Sequence, residues 1–148
     1  MITIKTITAK ETFDIRLEVL RKNIPLPYEF KGDFDADTFH LGAFKDEKLI
    51  AVSSFMKSEN NNFKGKQYQL RGMATLDNYQ GFGAGKRLIV KAVEILRKKN
   101  IDCLWCNARV IALDFYKKQG FLIFGDKFDV SLIGDHFVMY KYLNNNND

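Results

Sequence analysis

The run from Leu70 to Ala108 is the part of this chain that most limits its fold. It reads "LRGMAT", then "LDNYQGFGAGK", then "RLIVKAVEILRKKN", then "IDCLWCNA". The last piece is almost wholly apolar, as a strand covered on both faces is. In the third piece Leu88, Ile89, Ala92, Val93 and Leu96 recur at helical spacing, and Lys91, Glu94 and Lys98 take the other side. Asn100 closes that helix. A strand, a helix and a strand joined by short connections predict a parallel crossover, and therefore an α/β chain.

The flanking sequence extends the sheet. "ITIKTI" (Ile2 to Ile7) alternates like a half-buried strand. Thr8 and Glu11 have the spacing of a capping box. The helix they open places Phe13, Leu17 and Leu20 inward, with Arg16, Glu18, Arg21 and Lys22 on its other faces. Pro25 and Pro27 end it. An acidic, aromatic connector, "YEFKGDFDADTF", precedes a hairpin of "HLGAF" and "LIAVSSFM" around the turn "KDEK". The polar tip "SENNNFKG" leads into "KQYQLRGMAT". Beyond the crossover, "VIALDFYKKQG" is a short helix with Gly120 at its end. "FLIF" and "GDHFVMYKYL" are the last strands. The order is β-α-(α)-β-β-β-α-β-α-β-β: one α/β domain over residues 1–143, a mixed and mostly antiparallel sheet flanked by helices. Residues 144–148, "NNNND", are expected to be a disordered tail.

Composition narrows the function classes. With 148 residues, 46% apolar and 14% aromatic, the chain can bury a real core. No apolar run approaches the ~20 residues of a membrane span, and Lys5, Lys10 and Glu11 break up the start, so a soluble, cytoplasmic protein without a membrane partner is expected. The net charge is +5, with one small basic run at Arg97-Lys98-Lys99. Without a basic stripe this favours a mild anion bias over a nucleic-acid surface. Cys103 and Cys106 form a CxxC within a strand pattern, and the only histidines are His40 and His136. No metal site is expected, and the cysteines read as reduced core residues on opposite faces of a strand.

The glycine loop "NYQGFGAGKRL" invites comparison with phosphate loops. A P-loop needs G-x-x-x-x-G-K-[ST]. Gln80 and Arg87 stand at the wrong places, the spacing is one short, and no magnesium-binding hydroxyl follows. A Rossmann turn needs a small residue where Lys86 stands, and it follows a first strand rather than a fourth. The pattern Q/R-x-x-G-x-G/A fits Gln80, Gly83 and Gly85. A second stretch, "CNARVIALDFYKKQGF", carries Asn107, Ala112, Tyr116, Gly120 and Phe121.

These two signatures, one helix and one strand apart, resemble those of the GNAT superfamily of N-acetyltransferases. The resemblance covers about residues 70 to 124 by motif, and the whole chain by element order. It implies a GNAT-like fold that binds acetyl-CoA and acetylates a primary amine. It implies that Met73, Ala74 and Thr75 pair with the pantetheine arm. Gln80, Gly81, Phe82, Gly83, Ala84, Gly85 and Lys86 hold the diphosphate, by backbone N–H groups at a helix N-terminus. Asn107 bonds the pantetheine amides. Tyr116 lies near the sulfur as general acid for the departing thiolate.

The resemblance leaves the general base open. Many members carry a Glu on the strand before the loop, and this strand has none. His136, which shares a strand face with Val138 and Tyr140, is the base, a relay, a substrate contact or a backbone-bonded core histidine; alternatively, water relays deprotonate the amine. A backbone N–H at Met73 or Ala74 would meet the carbonyl oxygen. Arg71 grips an acceptor's anionic group or pairs with Asp33, Asp35 or Asp37. Arg16 and Arg21 edge the acceptor cleft or are solvated. Glu29, Asp33, Asp35 and Asp37 hint at a cationic amine. The expected chemistry is direct attack in a ternary complex; an acyl-cysteine at Cys106 is disfavoured. The rival readings are a CoA-binding module with little catalysis and, from charge alone, a nucleic-acid binder. Homodimers are common in the family, so a dimer is possible.

Overall fold

The computed structural model describes residues 1–144, so most of the asparagine tail lies outside the described residues. The strands are β1 (Ile2–Ile7), β2 (Phe39–Lys45), β3 (Lys48–Lys57), β4 (Gln67–Thr75), β5 (Cys103–Arg109), β6 (Leu122–Val130) and β7 (Gly134–Tyr142). They form one seven-stranded sheet in the order β1-β2-β3-β4-β5-β7-β6. Only β4 and β5 run parallel; the other neighbours are antiparallel. The crossover between them carries helix α2 (Ala84–Lys98), and α3 (Leu113–Lys118) follows β5. This is the mixed α+β sheet expected from the element order.

Two apolar layers clamp the N-terminal half of the sheet. Leu88, Ile89, Ala92, Val93 and Leu96 of α2 pack on Leu41, Ala43, Phe55 and Leu70. On the other face Ile15 packs with Ile7, Val52 and Ala74. The cysteines obey the period of a strand: Cys106 joins the α2 layer, while Cys103 packs with Phe63 and Trp105 beneath Val138 and Tyr140. No helix among the described residues is long and apolar enough to cross a membrane.

The capping box forms as its spacing requires. The Thr8 N–H donates to Glu11 Oε1 at 2.8 Å, and the Glu11 N–H to Thr8 Oγ1 at 3.3 Å. The helix it starts departs from the regular one expected. It changes from a 3₁₀ turn (Lys10–Thr12) through an α turn, α1 (Phe13–Ile15), to a π turn (Arg16–Leu20), and the connector forms no second helix. The inward face is therefore Thr12, Ile15 and Arg16, while Leu17 is 49% exposed. Thr12, Ile15 and Arg16 are spaced as one helical stripe, offset from the expected stripe of Phe13, Leu17 and Leu20, which leaves Leu17 outside it.

One departure from regularity shapes the centre of the sheet. The parallel ladder between β4 and β5 covers only Gln67–Gln69 against Cys103–Trp105. Beyond it β4 stays with β3 and β5 stays with β7, so the two strands part in a wedge. β4 bulges there: Arg71 pairs with Ser54 and Ala74 with Val52, which sets Gly72 and Met73 against Ser53 alone. Gly72 has φ +64°, and a Cβ there would stand 2.9 Å from Phe30 Cε2 and 3.2 Å from Arg16 Nε. Only glycine satisfies both the backbone and the crowding.

Candidate active site

A cleft of about 890 Å³ opens in the wedge. β4 supplies Gln69 to Thr75, β5 supplies Asn107 to Arg109, and the loop before α2 closes one end. Val19, Leu20, Arg21 and Phe30 wall the other end, with Val130, Ile133 and His136 beside them.

The loop end is built for an anion. Gly81 and Gly83 have φ +87° and +83°, and a Cβ on either would meet nothing within 4 Å. Gly83 caps α2 without any side-chain bond to the first-turn amides, and the first backbone bond of the helix is Arg87 N–H to Gly83 C=O. The N–H groups of Ala84, Gly85 and Lys86 are thus left for something outside the helix. They stand at the positive end of a 15-residue helix. Lys86 lines the same wall. Gly85 has a different reason to be glycine: a Cβ there would lie 2.9 Å from Phe115 Cζ, so it lets α3 close against α2. Phe82 is the member of the run outside the cleft wall. Its exposed ring lies under Lys45 Nζ at 5.5 Å.

Tyr116 is 6% exposed and its ring stands edge-on to Phe115 and Phe121 at 5.1 and 5.4 Å. The residue lines the cleft, and its hydroxyl has no hydrogen-bond partner among the described residues. Burial, then the neighbouring Cys106, pushes its pKa well above the ordinary phenol range, so the group stays protonated and can donate. Asn107, exposed on β5, lines the same cleft. His136 is 6% exposed and faces Phe128 at 5.8 Å. Its Nδ1–H donates to the Gly134 carbonyl at 2.8 Å. A carbonyl only accepts, so Nδ1 carries the proton, and in the neutral ring Nε2 is an acceptor.

The arginines sort differently from the expectation. Arg16 is fully buried and does not line the cleft, so it neither contacts an acceptor nor sits in solvent. It forms a fork with Asp33, Nη1 to Oδ2 at 2.7 Å and Nη2 to Oδ1 at 2.9 Å. It also donates to the Tyr28 carbonyl and to Ser54 Oγ. Ser54 in turn bonds His40 Nδ1 at 2.7 Å, and His40 Nε2 reaches the Asp33 carbonyl at 3.0 Å. The connector is thus held by a buried polar network, and its Asp33 is already engaged. Arg71 does line the cleft but pairs with no connector acid; its guanidinium lies 4.5 Å over the Phe30 ring. Arg21 lines it too, anchored through Nε to the Pro27 carbonyl. Arg109, which sequence reasoning passed over, joins them from β5, opposite His136 in the ladder.

Asp77, on the loop, is the only carboxylate among the lining residues, so the wall offers no acidic base beside β4. Both cysteines are at most 1% exposed; burial pushes the Cys103 thiol up to about 11 and the Cys106 thiol higher still. In the folded protein neither should react with a disulfide reagent at pH 8, and both should react in denaturant; rapid native labelling of either would contradict this burial.

The acetyltransferase (GNAT) family model matches residues 8–121. A curated protein of Bacillus subtilis (strain 168), the uncharacterized N-acetyltransferase YitI, is 39% identical over 145 residues, 97% of each chain. Among solved structures, Escherichia coli ElaA superposes with a TM-score of 0.79 at 18% identity, over 95% of this chain and 99% of that one. An acyl-CoA N-acyltransferase from Pseudomonas aeruginosa gives 0.75 at 21%, over 95% and 98%. Domain match, full-length relative and a sheet parted above uncapped helix amides agree, and this chain belongs to the GNAT family of N-acetyltransferases.

Proposed function

We propose that the chain transfers an acetyl group from acetyl-CoA to a primary amine by direct attack in a ternary complex. The observation that carries this reading is the meeting, in one cleft, of the parted β4 edge, the unpartnered first-turn amides of α2 and the unpartnered Tyr116 hydroxyl. Acyl-CoA use belongs to the family, and the residues fit it. The amides of Gly81 to Lys86 and the Lys86 ammonium take the diphosphate. The backbone of Met73 to Thr75 offers an unused strand edge to the pantetheine amides, and Asn107 faces it. The thioester that the bound donor supplies is the electrophile.

The chain's own groups then do four things. Nε2 of His136 accepts a proton from the acceptor ammonium, directly or through water. A backbone N–H at Met73 or Ala74 meets the negative charge that develops on the carbonyl oxygen. Tyr116 Oη donates to the departing sulfur. The cleft walls hold the amine and the thioester together. Acetyl-CoA should raise the melting temperature, and thiol should appear only when an amine is added. Binding without thiol release across an amine panel would support the CoA-binding module instead.

The loop assignment has its own test. A Cβ at Gly83 meets nothing within 4 Å, so Gly83→Val carries chiefly the strain of φ +83°, about 1–3 kcal/mol. Acetyl-CoA affinity should fall at least about 10-fold in calorimetry while circular dichroism stays native. Unchanged affinity would remove the diphosphate from this loop.

A further inference from the structure

The far end of the cleft is positively charged, and among the described residues no carboxylate forms an ion pair with the arginines that line it. Arg21, Arg71 and Arg109 all line it, while its sole acid, Asp77, belongs to the glycine loop. Among the described residues no hydrogen bond or ion pair engages the guanidinium of Arg71 or Arg109. Phe30 fixes the geometry. Its buried ring takes the guanidinium carbons of Arg16 at 3.9 Å, Arg71 at 4.5 Å and Arg21 at 5.5 Å. Its N–H is tied to Asp33 Oδ2 at 2.7 Å, so the Arg16–Asp33 pair holds the platform from below. Arg71 is held by stacking rather than by a carboxylate, which leaves its N–H donors for a guest, whereas Arg21 already spends Nε on the Pro27 carbonyl and Nη1 on the Leu20 carbonyl and keeps Nη2 for the rim. Burial first, and then Arg109, Arg71 and Arg16, lowers the Arg21 pKa, as expected where cations crowd.

We propose that the acceptor is a primary amine bearing an anionic group, a carboxylate or a phosphate, which Arg71 and Arg109 bind with Arg21 at the rim. The acidic connector does not select a cationic amine: Asp33 is spent on Arg16, and neither Asp35 nor Asp37 lines the cleft. The arrangement also serves the chemistry. A second ammonium on the acceptor would be repelled, whereas an anionic group brings its own counter-charge. Residual positive field at the nitrogen favours the neutral amine that attacks, which suits a wall whose base is a histidine rather than a glutamate. This inference rests on the acetyl-transfer reading for its amine; the anion subsite stands on the arginines.

The test compares matched acceptors: amino acids, their amides, the decarboxylated amines, diamines, and 2-aminoethyl phosphate. Thiol release with acetyl-CoA should give a kcat/KM roughly 10- to 100-fold higher for the anionic arms. The carboxylate and phosphate arms, compared with each other, identify the anion. Arg71→Gln and Arg109→Gln should each raise KM for the anionic acceptor about 10-fold and flatten its advantage over the amide. A merely structural role would depress both arms alike. Amides or diamines used as well as the acids would overturn the anion subsite and leave acetyl transfer standing. If no amine is acetylated, transfer itself fails, and calorimetry on the CoA-loaded protein still decides the subsite. There N-acetyl amino acids should bind about 10-fold more tightly than their amides, and equal affinity overturns the proposal.

Discussion

Asp33→Asn should destabilise the fold by about 3–5 kcal/mol, read as a lowered urea midpoint with an unchanged slope. The substitution keeps the shape of the side chain and removes its charge. Arg16, fully buried, would then sit in the interior without a counter-ion. The same pair supports Phe30 through its N–H, so the connector should loosen as well. A compensating double change separates the charge penalty from packing. Arg16→Met with Asp33→Leu should recover most of the loss, because an apolar pair of similar volume carries no desolvation cost. If the single variant unfolds at the parent midpoint, the fork contributes nothing.

The pair also gives the stability a pH dependence. Burial alone would raise the Asp33 carboxyl, but the Arg16 bonds, the Phe30 N–H and the Arg16 and His40 charges outweigh it, and its pKa lies below the ordinary 3.8. A carboxylate with a depressed folded pKa contributes stability that is present above its unfolded value. That contribution is lost as pH falls through the folded value. The parent should therefore lose stability below pH 4 more steeply than the Met–Leu variant.

Much of this architecture could be read from residue order because its causes are local. Thr8 and Glu11 need only each other, and the α2 stripe needs only its period. Gly81 and Gly83 declare positive φ by being glycine. Cys103 and Cys106 had to face opposite ways once "IDCLWCNA" was a strand. What could not be read depends on partners far along the chain. Arg16 looks like a surface residue until Asp33, seventeen positions on, and Ser54, thirty-eight on, close around it. The π turn that begins at Arg16 is likewise announced by no local preference. Gly72 belongs to the same set: its neighbours Phe30 and Arg16 arrive from other elements. Arg109 was passed over because the end of a strand carries no motif. Its meaning comes from the parting of β4 and β5, a long-range event marked in the sequence only by the glycine in "LRGMAT".

Tyr116→Phe should lower kcat by roughly 10²–10⁴-fold with acetyl-CoA affinity held within about twofold. The ring packs between Phe115 and Phe121, and phenylalanine keeps both edge-on contacts. Among the described residues the lost hydroxyl bonds nothing, so no buried partner is orphaned and the stability change should be small. That combination makes the variant informative. A Tyr whose hydroxyl were structural would lose stability and turnover together, whereas this one should lose turnover alone. The loss should fall on kcat and kcat/KM equally, since the hydroxyl meets charge that develops only as the thiolate leaves. A donor with a better leaving thiol, such as an acetyl thioester of an aryl thiol, should narrow the gap between parent and variant, because an anion stable on its own needs no proton. If parent and variant differ by the same factor with both donors, Tyr116 is not the acid. Full turnover in the variant would leave the cleft's unpartnered hydroxyl without a role and move the protonation of sulfur to solvent.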